Sequence, residues 1–258
     1  MSKATDIFDE VPEIDHSEQA VQTDPAEFEK VVRSRRSTRV FTDDPVPEEI
    51  MRRCLDLTLL APNSSNLQPW EFYWVRDPEK KQELARLCLG QPAATTAQEL
   101  VVCVARLDTW EANQERMLEM LESPESGAPE SAIMYYRKLV PLAYRQGPFY
   151  LLGPLKKLLM HLIAIRKPSP RGPAGKSDMR VWAHKSVALA CENLMLALRA
   201  YGFDSCPMEG IDETRIKKLL GLPRRAEVSM VISAGCRAEN GIYGPQIRFD
   251  KSLFVFEI

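Results

Sequence analysis

Apolar residues recur along this chain at two periods, and the turn residues between them mark out the elements. After Asp24, Pro25 and the i, i+3, i+4 set Phe28, Val31 and Val32 predict a helix that runs out near Ser34. Thr38 to Phe41 favours extended structure. Pro47 opens a second helix with Ile50, Cys54, Leu57 and Ala61 on its apolar face, ended by Pro62. Residues 72 to 75 predict a short strand, 78 to 89 a helix, and the unbroken apolar run 100 to 105 a buried strand. Helices follow over 109 to 122, over 130 to 146 through Ile133, Tyr136 and Val140, and over 178 to 201, closed by Gly202. Asp212 suits the cap of a helix to Leu220, and 228 to 234 is another buried strand. Helices outnumber strands without a βαβ alternation, which predicts an α+β fold with a mainly antiparallel or mixed sheet.

Two segments break this pattern. Residues 1 to 25 form an acidic arm with Asp6, Asp9, Glu10, Glu13, Asp15 and Glu18 among few large apolar groups, so one domain is expected over 26 to 258. Within it, residues 147 to 177 stand apart. Gly147, Pro148, Gly153 and Pro154 stand at one end and Lys167 to Pro173 at the other, around a short apolar helix with basic ends. That helix is too short to span a bilayer. A helix packed on the domain, a lid over a substrate site and a membrane-surface contact all remain open.

Composition narrows the function. The 258 residues carry 34 basic and 36 acidic side chains, a net charge of -2, which gives nucleic acid or an acidic membrane no whole-molecule attraction. Six cysteines lie in apolar stretches without regular spacing, as expected of reduced thiols in a cytoplasmic protein. The three histidines are far apart, which argues against a metal centre.

Three constellations carry candidate chemistry. Arg35, Arg36, Ser37, Thr38 and Arg39 put three guanidinium groups and two hydroxyls within five residues, suited to a phosphate and equally compatible with a solvated basic helix end. In an extended stretch Arg35, Ser37 and Arg39 share one face and Arg36 takes the other. There is no GxGxxG or GxxxxGK[ST] motif. The second is the polar loop from Pro62 through Asn63, Ser64, Ser65 and Asn66 to Trp70, whose amides offer donors and acceptors together. The third is Asp204, Ser205, Cys206, Pro207, Met208, Glu209 and Gly210, which read by themselves as a turn. His184 and Cys206 are the nearest candidates for a nucleophilic mechanism, and a structural role suits each better.

In this order, with the Ala-rich helix around Asn193 and with Gln246 and Arg248 near the end, these pieces resemble the FMN-dependent nitroreductase family over roughly residues 26 to 250. The resemblance implies a sheet flanked by helices in a domain-swapped homodimer that holds two FMN molecules at its interface. It implies that Arg35, Ser37 and Arg39, with Arg36 nearby, hold the FMN phosphate, ribityl chain and pyrimidine edge. Pro62, Asn63, Ser64 and Asn66 would serve the partner's flavin, and Pro207 to Gly210 would lie along the ring, with the backbone at Glu209 and Gly210 near the reactive edge. Gln91 falls where an amide often meets the pyrimidine, although its surroundings match poorly. Arg248 matches a phosphate-binding arginine, whereas Gln246 replaces a residue that is often basic. The family tends to be shorter between the strand at 100 to 105 and the helix at 178, which implies an insertion at about 147 to 177. The implied activity is hydride transfer from NAD(P)H to a small planar acceptor, a nitroaromatic or quinone, by a ping-pong mechanism. Reductive dehalogenation, flavin processing and low-turnover FMN storage are the alternatives within and beside the family.

Overall fold

The apolar run at 100–105 becomes the centre of a four-stranded antiparallel sheet in the computed structural model, which describes residues 17–147 and 151–258. Its strands are β1 (Trp70–Trp74), β2 (Glu99–Arg106), β3 (Asp204–Met208) and β4 (Ala226–Gly235), in the order β1-β2-β4-β3. β2 is apolar at every central position because both its faces are covered. Val101, Cys103 and Ala105 belong to one core cluster, and Leu100, Val102 and Val104 to the other. A bulge opposite Cys103 and Val104 leaves Ser229 of β4 without a partner residue in β2. The antiparallel sheet predicted from the pattern is what forms.

The first face is covered by α9 (Lys176–Ala200) and α2 (Glu48–Thr58), numbered within the series that begins with α1 (Pro25–Ser34). Met179, Ala183, Val187, Ala190, Leu194 and Leu198 of α9 are buried against the sheet together with Met51 and Cys54 of α2. The second face carries α3 (Pro78–Leu87), the short α4 (Pro92–Thr95) and α10 (Glu213–Leu220), with Leu84 and Ile216 fully buried. Between β2 and the segment 147–177 come α5 (Trp110–Leu121), α6 (Glu130–Met134), a π-helical turn at Tyr135–Leu139, and α7 (Val140–Tyr144), whose Trp110, Tyr136, Val140 and Tyr144 join the cluster on the first face. The apolar helix within residues 147–177 is α8 (Leu152–Ala164).

Caps fall where short polar side chains predict them. Asp24 accepts from the amides of Ala26 and Glu27, and Asp212 from that of Arg215. The acidic arm as far as residue 16, and Pro148, lie outside the described residues, and residues 17–24 run exposed without regular structure.

Three expectations need correction. α2 ends at Thr58, four residues before Pro62, and Leu57 faces solvent while Met51 and Thr58 take the buried positions. The apolar face of α1 has no cover in the single chain: Phe28 is 63% exposed and Val32 43%. Residues 204 to 208, read as a turn, form β3. Pairing with β4 overrides their turn propensity, and Arg199 fixes the strand's first residue through a 2.9 Å contact between its Nη1 and Oδ1 of buried Asp204. Five of the six cysteines are buried, and none is in a disulfide.

Candidate functional site

The arginine cluster sits where α1 has run out and the chain turns extended. Ser37 pairs with Ser205 in a single parallel bridge, and the Thr38 amide donates to the Ser205 carbonyl at 3.0 Å. Since β3 is the edge strand, the cluster is laid along the open side of the sheet. Arg39 is held by its amide, which donates to the Gly241 carbonyl at 2.7 Å, and its guanidinium reaches Cys206 Sγ at 3.4 Å. Burial pushes the Cys206 thiol up in pKa, against the opposing pull of Arg39 and Arg35. Two hydroxyls beside this seam, Thr38 Oγ1 and Ser205 Oγ, are buried without a partner.

The chain returns to this seam near its C-terminus. Arg35, Arg36, Ser37 and Arg39 line a cleft of about 320 Å³ together with Gly244, Gln246 and Arg248. Arg36 donates to the Gly244 carbonyl at 2.5 Å and ties the two segments together. Among the described residues no carboxylate lines this cleft, and Arg35, Arg36, Arg39 and Arg248 take part in no ion pair. The contrast is with Arg52, Arg53, Arg76, Arg86, Arg106, Arg199 and Arg215, all of which meet a carboxylate. Four uncompensated cations around one concavity, with a serine hydroxyl beside them, form a donor set for a phosphate.

Gly241 makes the return possible. A Cβ there would lie 2.6 Å from the Val40 carbonyl oxygen and 2.9 Å from that of Ala238, both backbone atoms. Gly241→Ala is expected to destabilise the protein by about 1–3 kcal/mol through overpacking. It should also speed amide exchange at Arg39, whose partner is the Gly241 carbonyl. Unchanged exchange there would show that the seam tolerates the methyl group.

At the far end of β3, Met208 is buried while Glu209 and Gly210 emerge into solvent. Gln91, whose neighbours in sequence gave it little support, is brought to this point. Its Nε2 donates to the Gly210 carbonyl at 2.9 Å and to that of Cys88 at 3.0 Å.

The polar loop is placed elsewhere. Pro62, Ser64 and Asn66 are exposed, and Asn63 and Ser64 line a separate cleft of about 620 Å³. Arg171, Gly172 and Pro173 from the loop after α8, and Asp178, Val181, Lys185 and Leu189 of α9, are among its other walls. This cleft has no residue in common with the arginine cleft.

Ser65, Asn66 and Gln68 all have positive φ, at 57°, 43° and 45°, and none is glycine. Such backbone costs on the order of 1–3 kcal/mol per residue and persists where the surroundings hold it. Here Tyr135 and Tyr144 bond to the Ser65 hydroxyl at 2.6 and 3.1 Å, and the Tyr136 hydroxyl donates to the Ser65 carbonyl at 2.8 Å. This tyrosine clamp has no signature in the chain's local pattern, because its members lie some seventy residues from the loop.

His184 is held by Ser229 at 3.1 Å and Glu227 at 3.0 Å, which fits a structural role. Among the described residues no group of His, Cys, Asp and Glu is arranged to hold a metal ion.

The profile of the Nitroreductase family matches residues 32–236. A protein of Thermus thermophilus named NADH dehydrogenase is 29% identical over 208 residues, which is 80% of this chain and 85% of that protein. A Nitroreductase Family Protein from Streptococcus pneumoniae superposes with a TM-score of 0.67 at 20% identity, covering 90% of this chain and all of that one. A protein from Exiguobacterium sibiricum, solved in complex with FMN, superposes with a TM-score of 0.63 at 23% identity, covering 93% of this chain and 99% of the other.

Proposed function

The chain belongs to the nitroreductase family, and on that premise we propose that it is an FMN-dependent NAD(P)H oxidoreductase whose acceptor is a small planar nitroaromatic or quinone. The observation that carries the reading is the cleft ringed by Arg35, Arg36, Arg39 and Arg248, whose charges have no carboxylate partner among the described residues. A phosphate monoester is the ligand that such a donor set fits, and FMN ends in one.

FMN held there supplies the redox chemistry, taking hydride from the nicotinamide and giving it up to the acceptor. The chain's own residues bind and aim. Arg35, Ser37 and Arg39 hold the phosphate, the ribityl chain and the pyrimidine edge, with Arg36 and Arg248 at the phosphate end and Gln246 adding a neutral amide to the rim. Arg39 also sets a positive charge where electron gain leaves a negative one. Gln91, by holding the Gly210 carbonyl, fixes the emerging end of β3, so that the backbone at Glu209 and Gly210 is presented in one orientation. Pro207 and Met208 form the floor.

Pro62, Asn63, Ser64 and Asn66 act on the flavin of a second subunit. The separation of the two clefts within one chain supports this arrangement, as do uncovered apolar groups on α1 and on the C-terminal tail, where Phe249, Phe254 and Phe256 are all exposed. The loop at 171–173 walls the cleft beside Asn63 and Ser64 and shapes the choice of acceptor. Nicotinamide and acceptor use one approach in turn, in the cytoplasm.

Steady-state turnover tests the reading. NADH or NADPH oxidation, measured at several fixed concentrations of a quinone or nitroaromatic, is expected to give parallel double-reciprocal lines. Flavin that stays bound while no acceptor of either class is reduced would favour a storage role instead.

A further inference from the structure

We propose that the outward face of α8 docks this protein on an anionic lipid surface. The helix is seated on the domain by one narrow side. Gly153 is buried, and a Cβ there would lie 2.7 Å from the Ala174 carbonyl oxygen, so only glycine lets the helix come this close. One turn on, Lys156 donates to the Ala143 carbonyl at 3.1 Å and also to that of Arg145. Met160 and Ala164 continue this partly buried side at helical spacing.

The opposite side is apolar from end to end. Leu151, Leu155, Leu158, Leu162 and Ile165 recur at spacings of four and three residues and are 71%, 63%, 59%, 55% and 78% exposed. Five aliphatic side chains on one face of the helix form a patch of a kind that soluble surfaces seldom leave open.

Charge selects the occupant. Between Glu130 and Asp178 the chain has nine Lys and Arg residues and no Asp or Glu, while its other 25 basic residues accompany all 36 acidic ones. Lys157, Arg166 and Lys167 are exposed beside or just beyond the apolar face, and Arg171 follows on the next loop. Arg145 and Lys176 share a neighbouring cleft with Arg224 and Arg225, which extends the basic surface, with Glu111 and Glu227 the acids there. A second copy of α8 would bring like charges together. An anionic bilayer surface accepts aliphatic side chains at the depth of its headgroups and attracts the flanking cations. No helix among the described residues is long and apolar enough to cross a membrane, so α8 lies on the surface. The small overall charge of -2 conceals this segregation.

The inference does not depend on the flavin reading, because binding is followed by protein alone. Purified full-length chain is floated with vesicles of equal phosphatidylglycerol and phosphatidylcholine, and with vesicles of phosphatidylcholine only. It is expected to float with the first and stay behind with the second, and to be released as salt is raised. Lys157→Gln, Arg166→Gln and Lys167→Gln should each lower partitioning about fivefold. Leu158→Gln with Leu162→Gln should abolish it, while subunit assembly and thermal stability are unchanged, since both side chains are already exposed. Three results would overturn the proposal: no flotation, equal flotation on both vesicle types, or a leucine double variant that dissociates into monomers, which would give this face to a second copy.

Discussion

Purified protein carrying both Arg35→Ala and Arg39→Ala is expected to be colourless. The two guanidinium groups face one cleft with no carboxylate to neutralise them among the described residues, so their charge is available to a bound phosphate. A hydrogen bond to a charged group contributes about 1.5–3 kcal/mol, and losing two weakens binding on the order of a hundredfold to ten-thousandfold. Flavin content after gel filtration and the Kd from quenching of FMN fluorescence both report this loss. Compared with flavin-free wild type, thermal unfolding should change little, because neither arginine has an ion pair to lose and only the weak contact from Arg39 to Cys206 Sγ goes. Arg248→Ala should act in the same direction and more weakly, since that residue is exposed on the tail. A double variant that keeps its flavin would remove the phosphate assignment.

The second large effect is a rescue. If the arginine cleft of one subunit works with the Asn63 loop of the other, a subunit bearing Arg35→Ala and Arg39→Ala still offers an intact loop. A subunit bearing Ser64→Ala and Asn66→Asp still offers intact arginines. Aspartate tolerates the positive φ at position 66 much as asparagine does, so the loop should keep its shape. Each variant alone is expected to bind FMN poorly. Co-expressed with different tags, the mixed dimer has one complete site and one doubly broken site, and should recover about half of the wild-type flavin content by the symmetry of a two-fold dimer. Mixed dimers as empty as their parents would mean that each chain builds its site alone.

Much of the fold was legible because the sheet is small and its central strands are buried on both faces. The run at 100–105 could be little else, and Asp24 and Asp212 announced their helices through capping chemistry that depends on neighbours in sequence. What escaped depends on neighbours in space. Asp204, Ser205 and Pro207 favour turns and become strand only because β4 and Arg199 receive them. On α1 and α2 periodicity predicts a buried face that the single chain leaves uncovered at Phe28 and Leu57.

The site divides in the same way. Arg35 to Arg39 could be found as a local cluster, but the cleft takes Arg36 as well as Arg35, Ser37 and Arg39, which alternation along an extended segment does not foresee. Their union with Gln246 and Arg248 requires the close passage at Gly241, and the partner of Gln91 is a carbonyl 119 residues away. The strain at Ser65 is visible only in backbone angles. The segregation of charge around α8 was legible in the sequence, but the direction in which its leucines face was not.

The most direct test of the central claim is the absorbance spectrum of the purified protein under anaerobic conditions, before and after NADH or NADPH is added. The account predicts a flavin spectrum that bleaches with one equivalent of at least one of these reductants and returns when a quinone or nitroaromatic is added. A flavin spectrum that neither reductant bleaches, or a protein that stays colourless in an excess of FMN, would contradict it.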